Sequence, residues 1–474
     1  MPRSERPQFN PKSLEQFEIV LTTYNGNETD ISPLVTEVSI FETIYNSFLY
    51  GEIVVVDNSA MLSQFPIIGQ EKIRFSWFRD EERVEKEFYA VGVFDVKQNL
   101  PAVGTYGITI TSEKQMRNAI SLFSKSYRGR GDEIISDVYR EFLDVDIEVD
   151  AESKTAHSIV FPYIKPLAAC DMVRKNILAE DGTPFFIFEK FYDDPGREST
   201  VLSSYGQLYG QDPIRQIQPQ VGGNVEERGQ IYNFQIMKAY DTLEQLSKGA
   251  YASSTITVDP SANRVEIFDF NFRKHAEPIA KDPIAVDFGF TPSEYHLGLL
   301  GESISNATIP VHKLYETNLT YTLKNVYAFA DETTTREGEN LPPPTLGSLE
   351  PLDKSIVSSY LTRLAANTSV MLHMDSIAYN ETDGSGFGVG KTVELDLPKF
   401  APKLDENDGP RDLVNSGKYL ISAVRHYISG NEYTMSVELI RDGIGEEAEL
   451  YVGDVPEVDR EPREREQIYE PINE

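Results

Sequence analysis

The sequence predicts a mainly β protein with an α+β insertion and two antiparallel β-barrels, one near each end of the chain. Three observations predict this class. Apolar and polar residues alternate over 17–111 and again over much of 370–439, which is the period of strands with one buried face. From about residue 115 the apolar period becomes helical. The two strand regions also share a weak internal repeat.

The first barrel is predicted over 13–114. Turn-forming segments such as Asn25-Gly26-Asn27 separate its strand-like runs. An antiparallel meander of this length is expected to close, or nearly close, into a barrel. Trp77, the only tryptophan, lies in one of the runs and is assigned to packing in the core or in the barrel wall. The runs are 36–41, 52–56, 72–77, 88–93 and 107–111.

The α+β insertion is predicted over 115–224. Asp132 is expected to cap a helix, and a second helix is expected from about Pro166 to Glu180, where Asp181-Gly182 ends it. The run from Pro184 to Phe191 is rich in β-forming residues. The first helix would bury Ile135, Val138, Tyr139 and Phe142.

The second barrel is predicted from two segments, 225–270 and 366–445. Between them, 271–365 is predicted as an extended inserted region with a proline-rich linker and a helix over 353–366. The C-terminal stretch 446–474 is rich in charge and proline, which predicts an acidic mobile tail.

The repeat joins three strand-like blocks of the first region to three of the second. Their order and approximate spacing agree, although few residues are identical. Two unrelated meanders would also resemble each other at this level, so chance similarity stays an alternative. If the duplication is real, a trimer would present six similar units. The blocks are 69–75, 86–93 and 106–110, against 390–395, 417–424 and 433–437.

Charge and cysteine content exclude several classes of protein. The formal net charge of −32 argues against a general nucleic-acid binder and against binding to anionic membranes. The single cysteine, Cys170, excludes an intramolecular disulfide and a cysteine-based metal site within one chain, and is expected to be a small buried hydrophobe. Neither a signal peptide nor an apolar run of about 20 residues is present, which predicts a soluble product made in the cytosol, with signal-free secretion left open.

We expect no catalytic, cofactor-binding or metal site. The histidines lack metal-site spacing and are expected to be structural, although His426, at a strand end, could equally meet a neighbouring subunit. Gly384–Gly390 precedes a strand and is expected to be a flexible hairpin tip, not a phosphate cradle. Arg128–Gly131 is expected to form ion pairs. With 76 acidic residues, a carboxylate pair for sugar hydrolysis can always be found. The six histidines are His157, His275, His296, His312, His373 and His426.

The barrel, insertion and barrel layout resembles the baseplate hub proteins of contractile-tailed phages. That family is shared with contractile injection devices and with the base of type VI secretion spikes. The resemblance is carried by Gly390–Asp442, which includes Ser416–His426 and the final strand Val437–Asp442. The segment Phe17–Val56 is similar to the first tube-like domain of the family.

This resemblance implies a homotrimeric, non-enzymatic symmetry adapter with two tube-like barrels per chain. It would join the sixfold tail tube ring to the threefold central spike trimer and would contact the tape measure protein and other baseplate proteins. It would sit in the virion tail baseplate, after synthesis in the bacterial host cytoplasm, and DNA would pass through its acidic channel without specific binding. The long 270–350 region and the acidic tail depart from shorter family members. A tail-associated cell-wall hydrolase and a carbohydrate-binding attachment module are the alternatives.

Overall fold

The structure is a computed structural model, and it confirms the mainly β class with additional helices. The predicted 271–365 region lies outside the described residues except for short segments, and the predicted tail over 446–474 lies wholly outside them. The described residues are 14–69, 71–79, 82–100, 103–153, 156–218, 229, 231–239, 252–259, 264–271, 319–323, 358–359, 361–363, 365–366, 368–379, 384–398, 411–412 and 415–442.

Twenty-one strands and five α-helices are found in these residues. The strands of the first region are β1 Glu15–Thr22, β2 Glu28–Asp30, β3 Val35–Thr43, β4 Tyr50–Asp57, β5 Lys72–Arg79, β6 Glu82–Leu100 and β7 Val103–Thr111. Those of the middle region are β8 Phe123–Arg130, β9 Glu148–Val149, β10 Ala156–Ile164, β11 Phe185–Glu189, β12 Thr200–Ser204 and β13 Gln216–Ile217. The remaining strands are β14 Ile231–Ala239, β15 Ala252–Asp259, β16 Arg264–Asn271, β17 Leu319–Leu323, β18 Thr368–Asp375, β19 Thr392–Leu395, β20 Gly417–Ser429 and β21 Glu432–Arg441. The helices are α1 Met61–Gln64, α2 Glu113–Ile120, α3 Gly131–Val138, α4 Pro166–Arg174 and α5 Tyr205–Gly210.

Most strands of the two predicted barrels belong to one 13-stranded sheet, whereas β15 and β16 of the second predicted barrel lie outside it. The order of this sheet is β14-β18-β21-β20-β3-β4-β7-β6-β5-β1-β2, and β19 and β13 extend it beside β20. The two predicted barrels are not separate, because β3 and β20 pair with each other in antiparallel register. In this way each strand supplies the hydrogen bonds that the other would lack at a free edge. A single hydrophobic core lies under both strand sets.

The strand pairing supports the predicted internal repeat. The first set pairs in the order β5-β6-β7-β4-β3, and the second set in the order β19-β20-β21-β18-β14. All eight pairings are antiparallel. Two five-stranded units therefore share one topology, and β3 of the first unit corresponds to β14 of the second.

A β-bulge lies at the same place in both units. The register of β6 shifts between Ala90 and Gly92, and that of β20 shifts between Ile421 and Ala423. Bulges are positional features of a fold rather than random defects. Their coincidence aligns Val91 with Ser422 and supports the sequence alignment of these two strands residue by residue.

The third block of the repeat needs a correction of two residues. Val93 pairs with Ile108 in the first unit, and Val424 pairs with Val437 in the second. Ile108 therefore corresponds to Val437, whereas the sequence comparison matched Ile110 to Val437. The error arose because a shift of two residues keeps every side chain on the same face of a strand.

The insertion has its own core and also contributes to the core of the main sheet. In β11, Phe185 and Ile187 face the insertion core, while Phe186 and Phe188 face the main core. A strand with both faces buried is expected to be apolar throughout. The run predicted from Pro184 to Phe191 thus sits between two cores, and it joins the insertion to the sheet.

Two helix boundaries in the insertion differ from the prediction. Arg130, not Asp132, precedes α3, and Glu133 Oε2 accepts a 2.9 Å hydrogen bond from the Arg130 N–H. Asp132 lies in the first turn, where its Oδ1 accepts from the Ser153 N–H. The second helix ends at Arg174 rather than near Glu180, because the chain turns into a hairpin in which the Ala179 N–H donates a 3.0 Å hydrogen bond to the Thr183 carbonyl.

Outside the main sheet, β15 pairs with β16 and β17 in a separate three-stranded sheet. The predicted helix over 353–366 is described only in part; helical turns occur at 358–359 and 361–363, and Leu361 and Ala365 are buried in the main core. Among the helices of the described chain, none has the length and hydropathy needed to cross a membrane.

Candidate assembly interface

The contact between the two units, here called the seam, is the antiparallel pairing of β3 with β20. It runs from Thr43 opposite Ala423 to Glu37 opposite Ser429. On the face of the sheet away from the core, the guanidinium of Arg425 lies 5.8 Å from the ring centre of Phe41. The same guanidinium donates a 2.9 Å hydrogen bond to Ser39 Oγ. Backbone pairing and side-chain contacts therefore both hold the seam together.

A buried polar network lies directly under the seam. Glu42 Oε1 is 3.2 Å from His426 Nε2, and His426 Nδ1 is 2.7 Å from the Tyr433 hydroxyl. That hydroxyl is 2.9 Å from the hydroxyl of Tyr192 in the insertion. The second carboxylate oxygen of Glu42 accepts a 2.8 Å hydrogen bond from the Phe191 N–H. The network thus connects the first unit, the second unit and the insertion.

A buried ion pair also fixes the insertion to the first unit. Lys114 Nζ, at the start of α2, lies 3.2 Å from Glu189 Oε2 at the end of β11. The same oxygen accepts a 2.8 Å hydrogen bond from the Leu49 N–H. Burial lowers the pKa of Lys114, and the nearby Glu189 carboxylate opposes that shift. Glu42 and Glu189 are therefore two separate attachment points for the insertion.

The structure places Trp77 in the core, as predicted for barrel-wall packing. Its indole is fully buried, stacks on Phe191 at 6.0 Å and meets Tyr433 edge-on at 6.1 Å. Aromatic pairs at these separations add to the stabilisation gained from burial alone.

The prediction of a flexible hairpin tip at Gly384–Gly390 is wrong. Residues 385–390 are buried against the insertion and the seam. A Cβ atom at Gly386 would lie 2.3 Å from the Tyr192 carbonyl oxygen, and one at Gly388 would lie 2.7 Å from Glu42 Oε1. Glycine is required at these positions because the backbone packs directly on its neighbours.

Two of the unpaired edges of the main sheet, here called the free edges, belong to β6 and β14; among the described residues the outer edges of β2 and β13 are unpaired as well. Beyond Ala90, β6 pairs with β7 on one side and with no described strand on the side of β5. Similarly, β14 pairs with β18 on one side only. By the repeat, these are the counterparts of β20 and β3, the two strands that form the seam.

Both free edges carry exposed apolar side chains. Val96 on β6 is 65% exposed and Met237 on β14 is 54% exposed. Val91 and Phe94 on β6, and Tyr232 and Ile236 on β14, are also exposed. Apolar side chains concentrated at an unpaired edge are typical of a surface that another chain covers.

The repeat predicts which residues of the two free edges would face each other. Phe94 pairs with Gly107 as Arg425 pairs with Ser436, so Phe94 takes the place of Arg425. On the other edge, β14 has an extra residue between Ile236 and Lys238. Because of that bulge, Met237 and Lys238 together take the place of Phe41. An interface equivalent to the seam would therefore bring Phe94 and Met237 together.

The other residues singled out from the sequence have structural surroundings. Cys170 is buried in α4, and burial raises the pKa of its thiol. Arg130 pairs with Asp132, Glu133 and Glu152, as predicted for this basic segment. Within the described part of the chain, no cluster of three or more His, Cys, Asp or Glu side chains is placed to hold a metal ion.

Three of the six histidines lie within the described residues. His157 is buried, and His373 Nδ1 is 2.9 Å from Ser436 Oγ on the outer face of the sheet. His426 is buried in the network under the seam and does not lie at a free edge. The other three, His275, His296 and His312, lie outside the described residues.

The outer face of the main sheet has mixed charge where it is described. Lys72 lies 3.7 Å from Glu87, and Arg83 lies 3.2 Å from Glu85. The prediction of an acidic channel surface therefore rests on the net charge of −32.

No protein-family model and no curated protein matches this sequence. The fold is similar to that of a tail protein from Neisseria meningitidis MC58, with a TM-score of 0.50, 10% identity, and 90% of this chain and 97% of that chain covered. The 43 kDa tail protein of prophage MuSo2 from Shewanella oneidensis has a TM-score of 0.48 and 11% identity, with 90% of this chain and 99% of that chain covered. An Escherichia coli component of the type VI secretion system, described as similar to T4 bacteriophage tail proteins, has a TM-score of 0.40 and 7% identity. It covers 86% of this chain and 73% of its own length. The likeness to the Neisseria meningitidis tail protein confirms the predicted resemblance to tail proteins at the level of the fold.

Proposed function

We propose that this chain is a structural, non-enzymatic hub of a tail baseplate, and that three copies close into a ring through their free edges. The likeness of the fold to a tail protein supports a structural role in a tail. The observation that carries the proposal is the repeat, because it makes the two free edges counterparts of the two strands that already pair at the seam.

The geometry of the seam indicates how such a ring would form. The edge of β6 in one copy would pair with β14 of the next, as β20 pairs with β3 inside each copy. This contact joins two different surfaces, and a contact of that kind gives a ring when the rotation closes. Three copies with two similar units each would present six units around the ring.

This arrangement would let the chain act as a symmetry adapter. Its six similar units would match the sixfold tail tube ring, and its three copies would match the threefold central spike trimer. The tape measure protein and other baseplate proteins are further proposed partners, in the virion tail. Because the net charge is −32, DNA passing through the channel would meet no excess of cations to retain it.

A cysteine pair tests the proposed ring contact. We expect Phe94→Cys with Met237→Cys to form an intermolecular disulfide under mild oxidation, because the repeat places these residues on facing strands. Denaturing gels without reductant should show a ladder that ends at the three-copy product. The single native cysteine, Cys170, is buried and does not interfere.

The control keeps the same β6 cysteine and moves the other along β14. Phe94→Cys with Tyr232→Cys places the second thiol five residues away, about 17 Å along the strand. Disulfides require Cα atoms within about 7 Å of each other. Equal cross-linking of both pairs, or none with the Met237→Cys pair, would contradict the proposed register.

A further inference from the structure

We infer that the cavity between the insertion and the second unit binds an oxyanion, a carboxylate or a phosphate, on the ammonium groups of Lys190 and Lys391. The cavity has a volume of about 570 Å³ and lies beside α5. Three of the residues that line it are cationic, Lys190, Lys391 and Arg197, in a chain that is otherwise strongly acidic.

One carboxylate serves both lysines. Asp194 Oδ2 lies 2.7 Å from Lys190 Nζ and 3.0 Å from Lys391 Nζ. Its other oxygen accepts a 3.0 Å hydrogen bond from the Gly386 N–H. Burial acts to raise the pKa of Asp194, but the two lysines outweigh it and hold that pKa below the ordinary value. Asp194 therefore stays ionised and contributes one negative charge.

The two ammonium groups retain unused hydrogen-bond donors. The Lys190 side chain is 8% exposed and that of Lys391 is 12% exposed. Each ammonium has three N–H donors, and among the described residues Asp194 is the partner of both. Because the two groups share this one carboxylate, each keeps N–H donors that a ligand could engage.

Arg197 is paired elsewhere. Its guanidinium lies 3.1 Å from Glu148 and 3.6 Å from Asp150, the two carboxylates on its own side. The unused donors of the cavity are therefore those of Lys190 and Lys391, where an anion with two or more oxygens could accept from both ammonium groups.

Two sources could supply this oxyanion. One is a free anion such as phosphate. The other is the carboxylates of Glu446, Glu447 and Glu449 of the chain itself. The Tyr209 hydroxyl of α5 donates a 2.8 Å hydrogen bond to the Lys418 carbonyl of β20, and Leu420 of β20 pairs with Ile440 of β21, so the chain reaches residue 442 close to the helix that lines the cavity. Glu446 follows Asp442 by four residues, a separation that any chain can bridge over at most about 14 Å.

Titration with inorganic phosphate tests the site in the full chain. Calorimetry at constant ionic strength should show saturable binding, and Lys391→Gln should weaken it about tenfold or more, since a hydrogen bond to a charged group is lost. Lys190 and Gly386 still bind Asp194 in this variant, so the fold should persist. Lys391→Arg should retain phosphate binding. The matched control is Lys175→Gln, which removes an exposed lysine just after α4 and should leave phosphate binding unchanged.

A second variant distinguishes the two sources. If the chain's own carboxylates occupy the site, replacing Glu446, Glu447 and Glu449 with Gln should strengthen phosphate binding; if a free anion is the ligand, affinity should not change. Absence of binding in both the wild type and this variant would overturn the inference. Undiminished binding by Lys391→Gln would also overturn it. Neither readout depends on ring formation.

Discussion

Replacing Glu42 with alanine is expected to destabilise the protein by about 2–6 kcal/mol, because two buried groups lose their hydrogen-bond partner. The substitution leaves the Phe191 N–H and His426 Nε2 without their carboxylate partner in the core. Each buried group that loses its partner costs about 1–3 kcal/mol. The free energy of unfolding from urea titration, followed by tryptophan fluorescence of the buried Trp77, would measure the loss.

Two further variants show whether the network is responsible. Glu37→Ala removes an exposed carboxylate from the same strand and should change the free energy of unfolding by no more than about 0.5 kcal/mol. Glu42→Gln keeps one acceptor oxygen, so its free energy of unfolding should lie between those of Glu42→Ala and Glu37→Ala. If Glu42→Ala unfolds at the same urea concentration as Glu37→Ala, the network does not hold the three parts of the chain together.

Replacing Met237 with aspartate is expected to abolish association between copies. Met237 is exposed in the single chain, so the change should leave its folding intact. In the proposed ring the aspartate would instead be buried against the apolar edge of β6, where an unpaired charge costs several kcal/mol. Sedimentation velocity should show only single chains over the concentration range in which the wild type associates.

The matched control for this variant is Ile120→Asp. Ile120 is also a large exposed apolar residue, but it lies at the end of α2 and not on β6 or β14. This variant should associate like the wild type. Loss of association by both variants to the same degree would indicate a general effect of added charge rather than a specific edge contact.

Much of the fold follows from local pattern. Alternation located most strands of the main sheet, and the helical period located α3 and α4, because these patterns depend on which face of each element is buried. The repeat was also visible, although its third block was misaligned by two residues at Ile110. The seam was not predictable in the same way, since the pairing of β3 with β20 joins segments that are far apart in the sequence.

The residues under the seam were missed for a related reason. Glu42 and His426 are 384 positions apart, and neither has a local motif that marks it as a member of a buried network. A carboxylate at an inward position of β3, between the apolar residues Ile40 and Ile44, was the one available signal. The packed glycine segment was misread because glycine serves both flexible turns and close backbone contacts, and only the neighbours distinguish them.

The mass of the wild-type assembly tests the central claim most directly. Native mass spectrometry of the full chain should show a closed species of three copies of the 53.5 kDa chain, without open oligomers of increasing length. A predominant dimer, or a single chain that remains unassociated at tens of micromolar, would contradict a head-to-tail ring formed by the edges of β6 and β14.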